Sequence, residues 1–450
     1  MAESSVARAV PSAAVAIAAD ARTVAAWTLV SRITGFVRIA ALAAVLGPTF
    51  FANLFQIASA IPPALNELLA GTLIASILVP RLVPHVDSAD PASIRRIANG
   101  FLGAALVAVG LAVTLIALIA PAFLGLLSAA VADPEIRHRQ ATLGWPMLAL
   151  LLPQIFFYTI AATSVAVQQA HGRFALAAAA PAVENIGIVI VVATWAILFG
   201  SGADIHDVTI SQVAILSLGS TAAVAAHAAL QWWGALRLGV AIVPKAGWRD
   251  RDVRQIFCLA GASMGFSAIS SASFFALLIV AGAIPGGAIA FQIGYNFFNL
   301  PAALCARPLA AAQLPRLARS ANEHDLATFH RTYRGTLALA GFITLPITAI
   351  FVGAHDLLAS VVSFGEMRTD AGMKLVAAAI GGLGFGIVAD AIFIIAMSAS
   401  YARRDAVQPV KAIALRAAVA FSGMFLAANA MHATAFMWTL ALAISVANLA

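Results

Sequence analysis

The chain runs to 450 residues, of which 62% are hydrophobic and only 10% are Asp, Glu, Lys or Arg, with a mean hydropathy of +0.96. Soluble domains carry about 25% charged residues; so few charges cannot cover a water-facing surface, which excludes a soluble enzyme or a cytosolic binding domain. The two cysteines, Cys258 and Cys305, lie in apolar segments, against a disulfide scaffold or a Cys-rich metal site.

A bilayer-crossing helix needs about 20 mostly apolar residues. In chain order the apolar stretches are 22–46, 50–82, 97–128, 141–169, 174–199, 208–236, 255–284, 286–315, 332–353, 372–400, 409–430 and 434–450. The expectation is an all-α polytopic membrane protein of about twelve transmembrane helices. Residues 1–21 are Ala/Ser-rich, are broken by Pro11 and lack the basic start of a cleavable signal, so they read as a flexible cytoplasmic tail. Helices 1–6 would form an N-lobe over 22–240, a cytoplasmic linker would follow at 241–254, and helices 7–12 would form a C-lobe over 255–450. The last stretch reaches Ala450 without a polar flank, so it either ends at the interface or continues into further sequence.

Charge placement orients the chain. With a cytoplasmic N-terminus, 18 of the 26 Lys and Arg fall on inner loops, and four (Arg137, Arg139, Arg368 and Lys374) fall on outer ones. That asymmetry is the positive-inside pattern. It accounts for a pI near 10.1 without nucleic acid, the expected partner of the basic loops being anionic inner-leaflet lipid. An internal echo accompanies it. Ile61-Pro62-Pro63-Ala64-Leu65 and Pro80-Arg81-Leu82 on span two resemble Leu300-Pro301-Ala302-Ala303-Leu304 and Pro315-Arg316-Leu317 on span eight. Six helices separate the copies, as in parallel-repeat transporters whose substrate site lies between two halves.

Away from the span ends, seven acidic or arginine residues fall inside spans: Arg32, Arg38, Glu67, Glu184, Arg307, Asp390 and Arg416. Each costs about 2.5–3.5 kcal/mol at a helix centre facing lipid, so each has to snorkel, pair or border a wet cavity. Arg416, five residues past Lys411, reads as snorkelling, and Arg307 as snorkelling or entering a cavity. Arg32 and Arg38 lie too deep for both to reach one interface. Six residues of ideal helix turn through about 600°, so the two face a common cavity only if the helix bends or the cavity is wide. Arginine suits phosphate because its fork presents paired donors and stays ionised. The competing reading is an internal Arg38–Glu67 ion pair.

Asn53, Gln56 and Asn66 add polarity to span two, and Asn296 with Asn299 forms an i, i+3 pair on span eight. Such residues serve either as interhelical glue or as cavity lining. Glu184, beside Asn185 and after Pro181, is either a proton-coupling acid or a buried protonated one, and Asp390 carries the same two readings. No phosphate-binding loop, H-E-x-x-H or metal-spaced Cys/His cluster occurs. The nine scattered histidines read as solvated or interfacial, and Trp232-Trp233 as an interfacial aromatic belt.

Ser31-Arg32-Ile33-Thr34-Gly35-Phe36-Val37-Arg38, followed by Leu46-Gly47, Ile61-Pro62 and Val79-Pro80, resembles the opening helices of the MurJ/MviN family. The likeness continues at His171-Gly172-Arg173-Phe174, Asn299-Leu300-Pro301, Leu314-Pro315-Arg316-Leu317, Leu345-Pro346 and Tyr401-Ala402-Arg403-Arg404-Asp405. The resemblance implies a two-lobed, twelve-helix lipid II flippase of the bacterial plasma membrane, with no cofactor. It would carry a polyprenyl-pyrophosphate-linked cell-wall precursor by alternating access, with cell-wall synthesis proteins as further partners. It also implies that Arg32 and Arg38 match the family's pyrophosphate arginines on helix one. Asn66 and Glu67 stand where helix two has arginines, Asn296 where helix eight has one, and Asn53 where helix two has an acid. The substrate-binding set expected on these grounds is Arg32, Arg38, Asn53, Asn66, Glu67, Asn296, Asn299 and Arg307, with Glu184 and Asp390 as ion-coupling candidates. Two other readings stay open: a cation-coupled exporter of an amphipathic small molecule, and a non-transporting scaffold in cell-wall assembly.

Overall fold

A computed structural model describes residues 13–67, 77–403, 405, 407–427 and 432–449. Among these residues every regular element is helical. The first half of the chain contains α1 (Ala13–Leu46), α2 (Phe50–Asn66), α3 (Val79–Asp87), α4 (Pro91–Leu118) and α5 (Ala120–Leu127). It continues with α6 (Pro134–Leu151), α7 (Gln154–Ala170), α8 (Ala175–Phe199) and α9 (Ile210–Leu236). The second half contains α10 (Arg251–Ala281), α11 (Gly287–Pro301), α12 (Arg307–Asn322), α13 (Leu326–Gly353) and α14 (His355–Val362). It ends with α15 (Asp370–Gly384), α16 (Ile387–Ala402), α17 (Val407–Ala427) and α18 (Ala433–Ala447).

The described residues of the twelve apolar stretches lie mainly on helix, and the polar residues between them set the ends. Asp90, Asp133, Asp250 and Asp325 each cap a following helix by accepting a backbone N–H, and Thr209 with Gln212 forms a capping box on α9. Among the described residues, seven helical stretches are individually long and apolar enough to cross a bilayer; α15 and α16, bent by 45° across Phe385-Gly386, together make an eighth. Two of the other stretches carry internal prolines. Pro62 and Pro63 lie inside α2, and Pro301 leads into a π-helical turn at Ala302–Ala306 between α11 and α12. A proline ring clashes with the carbonyl four residues back; for Pro308 that is Leu304, inside the π turn, which relieves the clash. The echoed Pro-Ala-Leu strings therefore both sit on proline-containing helices, α2 and the run from α11 into α12. One boundary differs from expectation: α1 already begins at Ala13, within the stretch read as a tail, and residues 1–12, with Arg8, lie outside the described residues, as does Arg404.

Two lobes result. In the first, α1 packs on α8, α8 on α9, and α9 on α6 and α7; in the second, α15 and α17 pack on α18, α11 on α15, and α16 on α12 and α13. The lobes meet at the end opposite the basic loops through backbone groups. Asn53 Nδ2 donates to the carbonyls of Gly282 (3.2 Å) and Ile284 (2.7 Å), and its Oδ1 accepts from Ala288 N–H (3.0 Å). Gly286 N–H donates to Thr49 O at 3.1 Å, and φ of +70° at Gly286 suits glycine. Ser201 Oγ donates to Glu366 at 2.6 Å beside them. At the basic end the interlobe segment is stapled to α4: Val243 N–H donates to Asn99 Oδ1 (2.9 Å) and Lys245 N–H to Asn99 O (3.1 Å). Arg96 pairs with Asp250 and Asp252, and Arg81 with Asp252 at 3.2 Å.

Candidate functional site: two polar cavities that meet between the lobes

The first cavity, about 500 Å³, is lined by Arg38, Gln56, Glu67, Gln154, Tyr158 and Glu184 of the N-lobe and by Gln292 of the C-lobe. Packing of α1 along α8 sets its charge pair: Asn185 donates to Ser31 O and Thr34 Oγ1, each at 3.2 Å, which fixes the register that brings Arg38 opposite Glu184. The arginine Nη1 stands 3.6 Å from Glu184 Oε1. Glu184 is held more tightly by others: Tyr158 O–H donates at 2.8 Å, and His227 Nδ1 lies 2.8 Å from Oε2. A buried carboxylate needs such partners, because an unpaired one costs several kcal/mol. The loosely held arginine has a buried Nε with no hydrogen-bond partner among the described residues.

The second cavity, about 440 Å³, lies in the C-lobe and is lined by Ser273, Asn299, Arg307, Asp390, Ser398, Tyr401 and Arg416, among others. Arg416 Nη1 donates to Asp390 Oδ1 at 3.2 Å, and its guanidinium lies over Phe393, 5.1 Å from the ring centroid. The π turn after Pro301 delivers Arg307 to the same space. The two cavities share Ser270, Phe274 and Tyr295, so they are compartments separated by those three side chains.

Their charges differ in sign. Among the described lining residues, the N-lobe cavity sets Arg38 against Glu67 and Glu184, a formal net of −1; the C-lobe cavity sets Arg307 and Arg416 against Asp390, a net of +1. Arginines in a protein-walled cavity attract anions more strongly than in water, because the effective dielectric is lower. By charge, the C-lobe compartment is the anion-receptive one.

The residues singled out in the sequence divide accordingly. Arg38, Glu67 and Glu184 come together in the first cavity, and Asn299, Arg307 and Asp390 in the second. Arg32 does not join Arg38: α1 runs unbroken, the 600° turn holds, and Arg32 lies on an exposed face that borders neither compartment. The Arg38–Glu67 pair does not form; Glu184, brought in by tertiary packing, takes that place. Asn53 is fully buried as the interlobe clasp and lines neither cavity. Asn296 accepts from Gln292 Nε2 at 3.0 Å, and Asn299 Nδ2 donates back to Tyr295 O at 2.9 Å. Asn66 borders neither compartment, and its buried Oδ1 has no partner among the described residues.

Three residues escaped sequence reasoning. Arg416 is no snorkelling residue but the ion partner of Asp390. His227 is neither solvated nor interfacial; it is 8% exposed and bonded to Glu184, and Tyr158 completes that triad. The signal for His227 was present: it sits mid-span in 208–236, where a polar ring needs a partner as much as a charge does.

A two-lobed, all-helical membrane protein with one polar compartment between its lobes and a second beside it in the C-lobe has the build of a transporter, not of an enzyme. The family model described as lipid II flippase MurJ matches residues 42–450, and the chain belongs to that family. Similar relatives are the probable lipid II flippases MurJ of Vibrio cholerae serotype O1 and of Rhizobium meliloti. The first is 25% identical over 86% of this chain and 73% of its own length, the second 24% identical over 73% and 59%. The chain thus spans about three-fifths of the Rhizobium protein. Among solved structures, a lipid II flippase MurJ in an inward closed conformation superposes with a TM-score of 0.71 at 16% identity, covering 94% of this chain and 84% of the other. An inward-facing multidrug resistance MATE family transporter gives 0.66 at 13% identity, covering 93% and 91%. These two likenesses establish the fold.

Proposed function

We propose that the protein flips a polyprenyl-pyrophosphate-linked cell-wall precursor, lipid II or a close relative, from the inner to the outer leaflet of the plasma membrane. The basic end is cytoplasmic, in keeping with the charge asymmetry of the loops. The lobes alternate: the Asn53 clasp seals the outer end while the head group loads from inside, then parts to release it. Membership of the MurJ family supports the substrate class. The observation that carries the binding assignment is the +1 charge of the C-lobe cavity, where Arg307 has no ion partner among the described residues and Arg416 has one. The pyrophosphate sits between these two guanidinium groups, and Arg38 contacts it or the attached sugar from across the Ser270–Tyr295 boundary.

The test is outer-leaflet appearance of the precursor in cells depleted of the protein and complemented with variants. Arg307→Gln removes a charge-assisted contact worth about 1.5–3 kcal/mol, one to two orders of magnitude in binding, and abolishes precursor exposure. Arg32→Gln leaves exposure intact. Normal exposure with Arg307→Gln rejects the assignment.

A second reading rests on the N-lobe cavity, whose net negative charge fits an amphipathic organic cation. It requires efflux of such a cation, lost in Glu184→Gln; efflux unaffected by that change eliminates it.

A further inference from the structure

The echo that joins Pro80-Arg81-Leu82 to Pro315-Arg316-Leu317 extends into the turn that follows each, at the basic end of both lobes. Between α3 and α4, Ser88 N–H donates to Pro84 O, Ala89 N–H to Val86 O and Asp90 N–H to His85 O. There φ is +51° at Ala89, and Asp90 caps α4 through Ser93 N–H. Between α12 and α13, displaced by the same interval throughout, Glu323 N–H donates to Arg319 O, His324 N–H to Ala321 O and Asp325 N–H to Ser320 O. There φ is +59° at His324, and Asp325 caps α13 through Thr328 N–H. The two hairpins share one backbone plan, so their residues correspond: Arg316 to Arg81, Arg331 to Arg96, Arg334 to Asn99 and Gly335 to Gly100.

What covers them differs. In the N-lobe the interlobe segment lies across the hairpin, with Asp250 and Asp252 on Arg81 and Arg96, and Val243 and Lys245 on Asn99. Gly100 lets that segment press against α4, since a Cβ there would stand 3.3 Å from Gly247 Cα. In the C-lobe Arg316, Arg331, Arg334 and Gly335 are all exposed. Among the described residues, a Cβ on Gly335 would meet nothing within 4 Å, and none of the three arginines has an ion pair. Asp325 is engaged with Thr328 N–H at 3.0 Å and feels Arg331 only from beyond ion-pair distance, and Glu323 stands exposed in the turn. Arg331 and Arg334 are neighbours on one face of α13, where like charges oppose the helix.

We infer that this face of α12 and α13 is the docking site for an extended acidic segment of a cytoplasmic partner protein. The N-lobe displays the kind of chain that fits: an extended backbone that crosses the second helix at the glycine and then sets carboxylates against the paired arginines. Where the N-lobe has the neutral Asn99, the C-lobe has Arg334, so its occupant carries more acid than the interlobe segment does. The counterpart of Gly103 is Ala338, so that occupant lies closest at Gly335 and stands off one turn later. Arginine forks take carboxylates and phosphates alike, but a lipid head group has no use for a trench that admits a main chain. A second copy's interlobe segment is already engaged on its own N-lobe. The inference is independent of what the transporter carries.

Fluorescence anisotropy on the full chain in phosphatidylcholine nanodiscs tests this. The probe is a labelled peptide copying residues 241–253 with Lys245→Glu, Arg249→Glu and Arg251→Glu, which keeps Gly247, Asp250 and Asp252. It binds the unaltered protein, and still binds when phosphatidylglycerol is added to the nanodiscs. Arg331→Glu weakens binding about tenfold or more, because it sets like charges together. Gly335→Phe, which changes no charge and fills the trench, weakens it comparably; both positions are exposed, so the variants fold. Arg173→Glu, at an exposed arginine of another inner loop, leaves binding unchanged. No binding, an equal loss with Arg173→Glu, or no loss with Gly335→Phe overturns the inference. Displacement of the peptide by phosphatidylglycerol overturns it in favour of anionic lipid. An unaltered chain that elutes as a dimer, and returns to monomer with Arg331→Glu, overturns it in favour of a second copy.

Discussion

The two polar cavities use the same parts to opposite effect. Each buries one carboxylate against one arginine, Glu184 with Arg38 at 3.6 Å and Asp390 with Arg416 at 3.2 Å. In the N-lobe, His227 and Tyr158 satisfy the carboxylate and the arginine is a loose third partner. In the C-lobe, Arg416 is the carboxylate's side-chain partner among the described residues, and a second arginine stands by. An intramembrane arginine therefore says little by itself. What surrounds it decides whether it is a structural counterion or a free anion contact.

The largest expected effect breaks the comparison at the carboxylates. Glu184→Ala strands Arg38, His227 and Tyr158 together and costs about 3–5 kcal/mol, the range for breaking a buried pair. Removing the C-lobe pair whole, with Asp390→Asn and Arg416→Gln, takes away both charges of the pair, leaves Arg307 without an ion partner as before, and is near neutral for stability. Thermal unfolding in detergent measures both; equal losses would show that the two sites are alike.

The middle effect concerns how the compartments exchange sides. Asn53→Ala leaves the Gly282 and Ile284 carbonyls and the Ala288 N–H without their clasp, at about 1–3 kcal/mol for buried groups left unmade. The outer seam then opens more often. A cysteine placed at Gln56, 6% exposed, reacts faster with a membrane-impermeant maleimide from the outer side, and an unchanged rate would remove Asn53 from the gate.

The smallest effect lies outside the membrane, at the Arg96–Asp250 staple. Burial favours the neutral form of Asp250, but the Arg96 hydrogen bond and the Asp252 backbone N–H outweigh it and hold the carboxyl below the usual range. Stability from this pair is complete above the ordinary aspartate range and is lost as the pH falls from there through the lowered value. With the Arg96 side chain half exposed, solvent screening limits the gain to about 0–1 kcal/mol. Asp250→Asn flattens the acid limb of the unfolding profile slightly, and an unaltered profile would show that the pair contributes nothing.

Hydropathy alone exposed the all-helical, membrane-spanning build, because twenty apolar residues in a row have few other uses. The strings around Pro62, Pro63 and Pro301 marked the repeat between α2 and α11. Arg38, Glu184, Arg307 and Asp390 were legible because intramembrane charge is costly. Their partners were not. Glu67 looked like the mate of Arg38 because it lies nearby in sequence, whereas α8 brings Glu184 across the fold. Arg416 looked shallow because depth along a helix is readable, but the face it presents is set by packing against α16. The interlobe role of Asn53 depends on backbone carbonyls 229 and 231 positions away, a distance over which the sequence pattern carries no signal.

Binding of radiolabelled polyprenyl pyrophosphate to the solubilised protein tests most directly whether the C-lobe cavity receives the anion. Arg307→Gln weakens binding by about one to two orders of magnitude, and Arg38→Gln by clearly less. The reverse ranking, with Arg307→Gln binding like the unaltered protein and Arg38→Gln failing, would contradict the assignment and return the head group to the N-lobe.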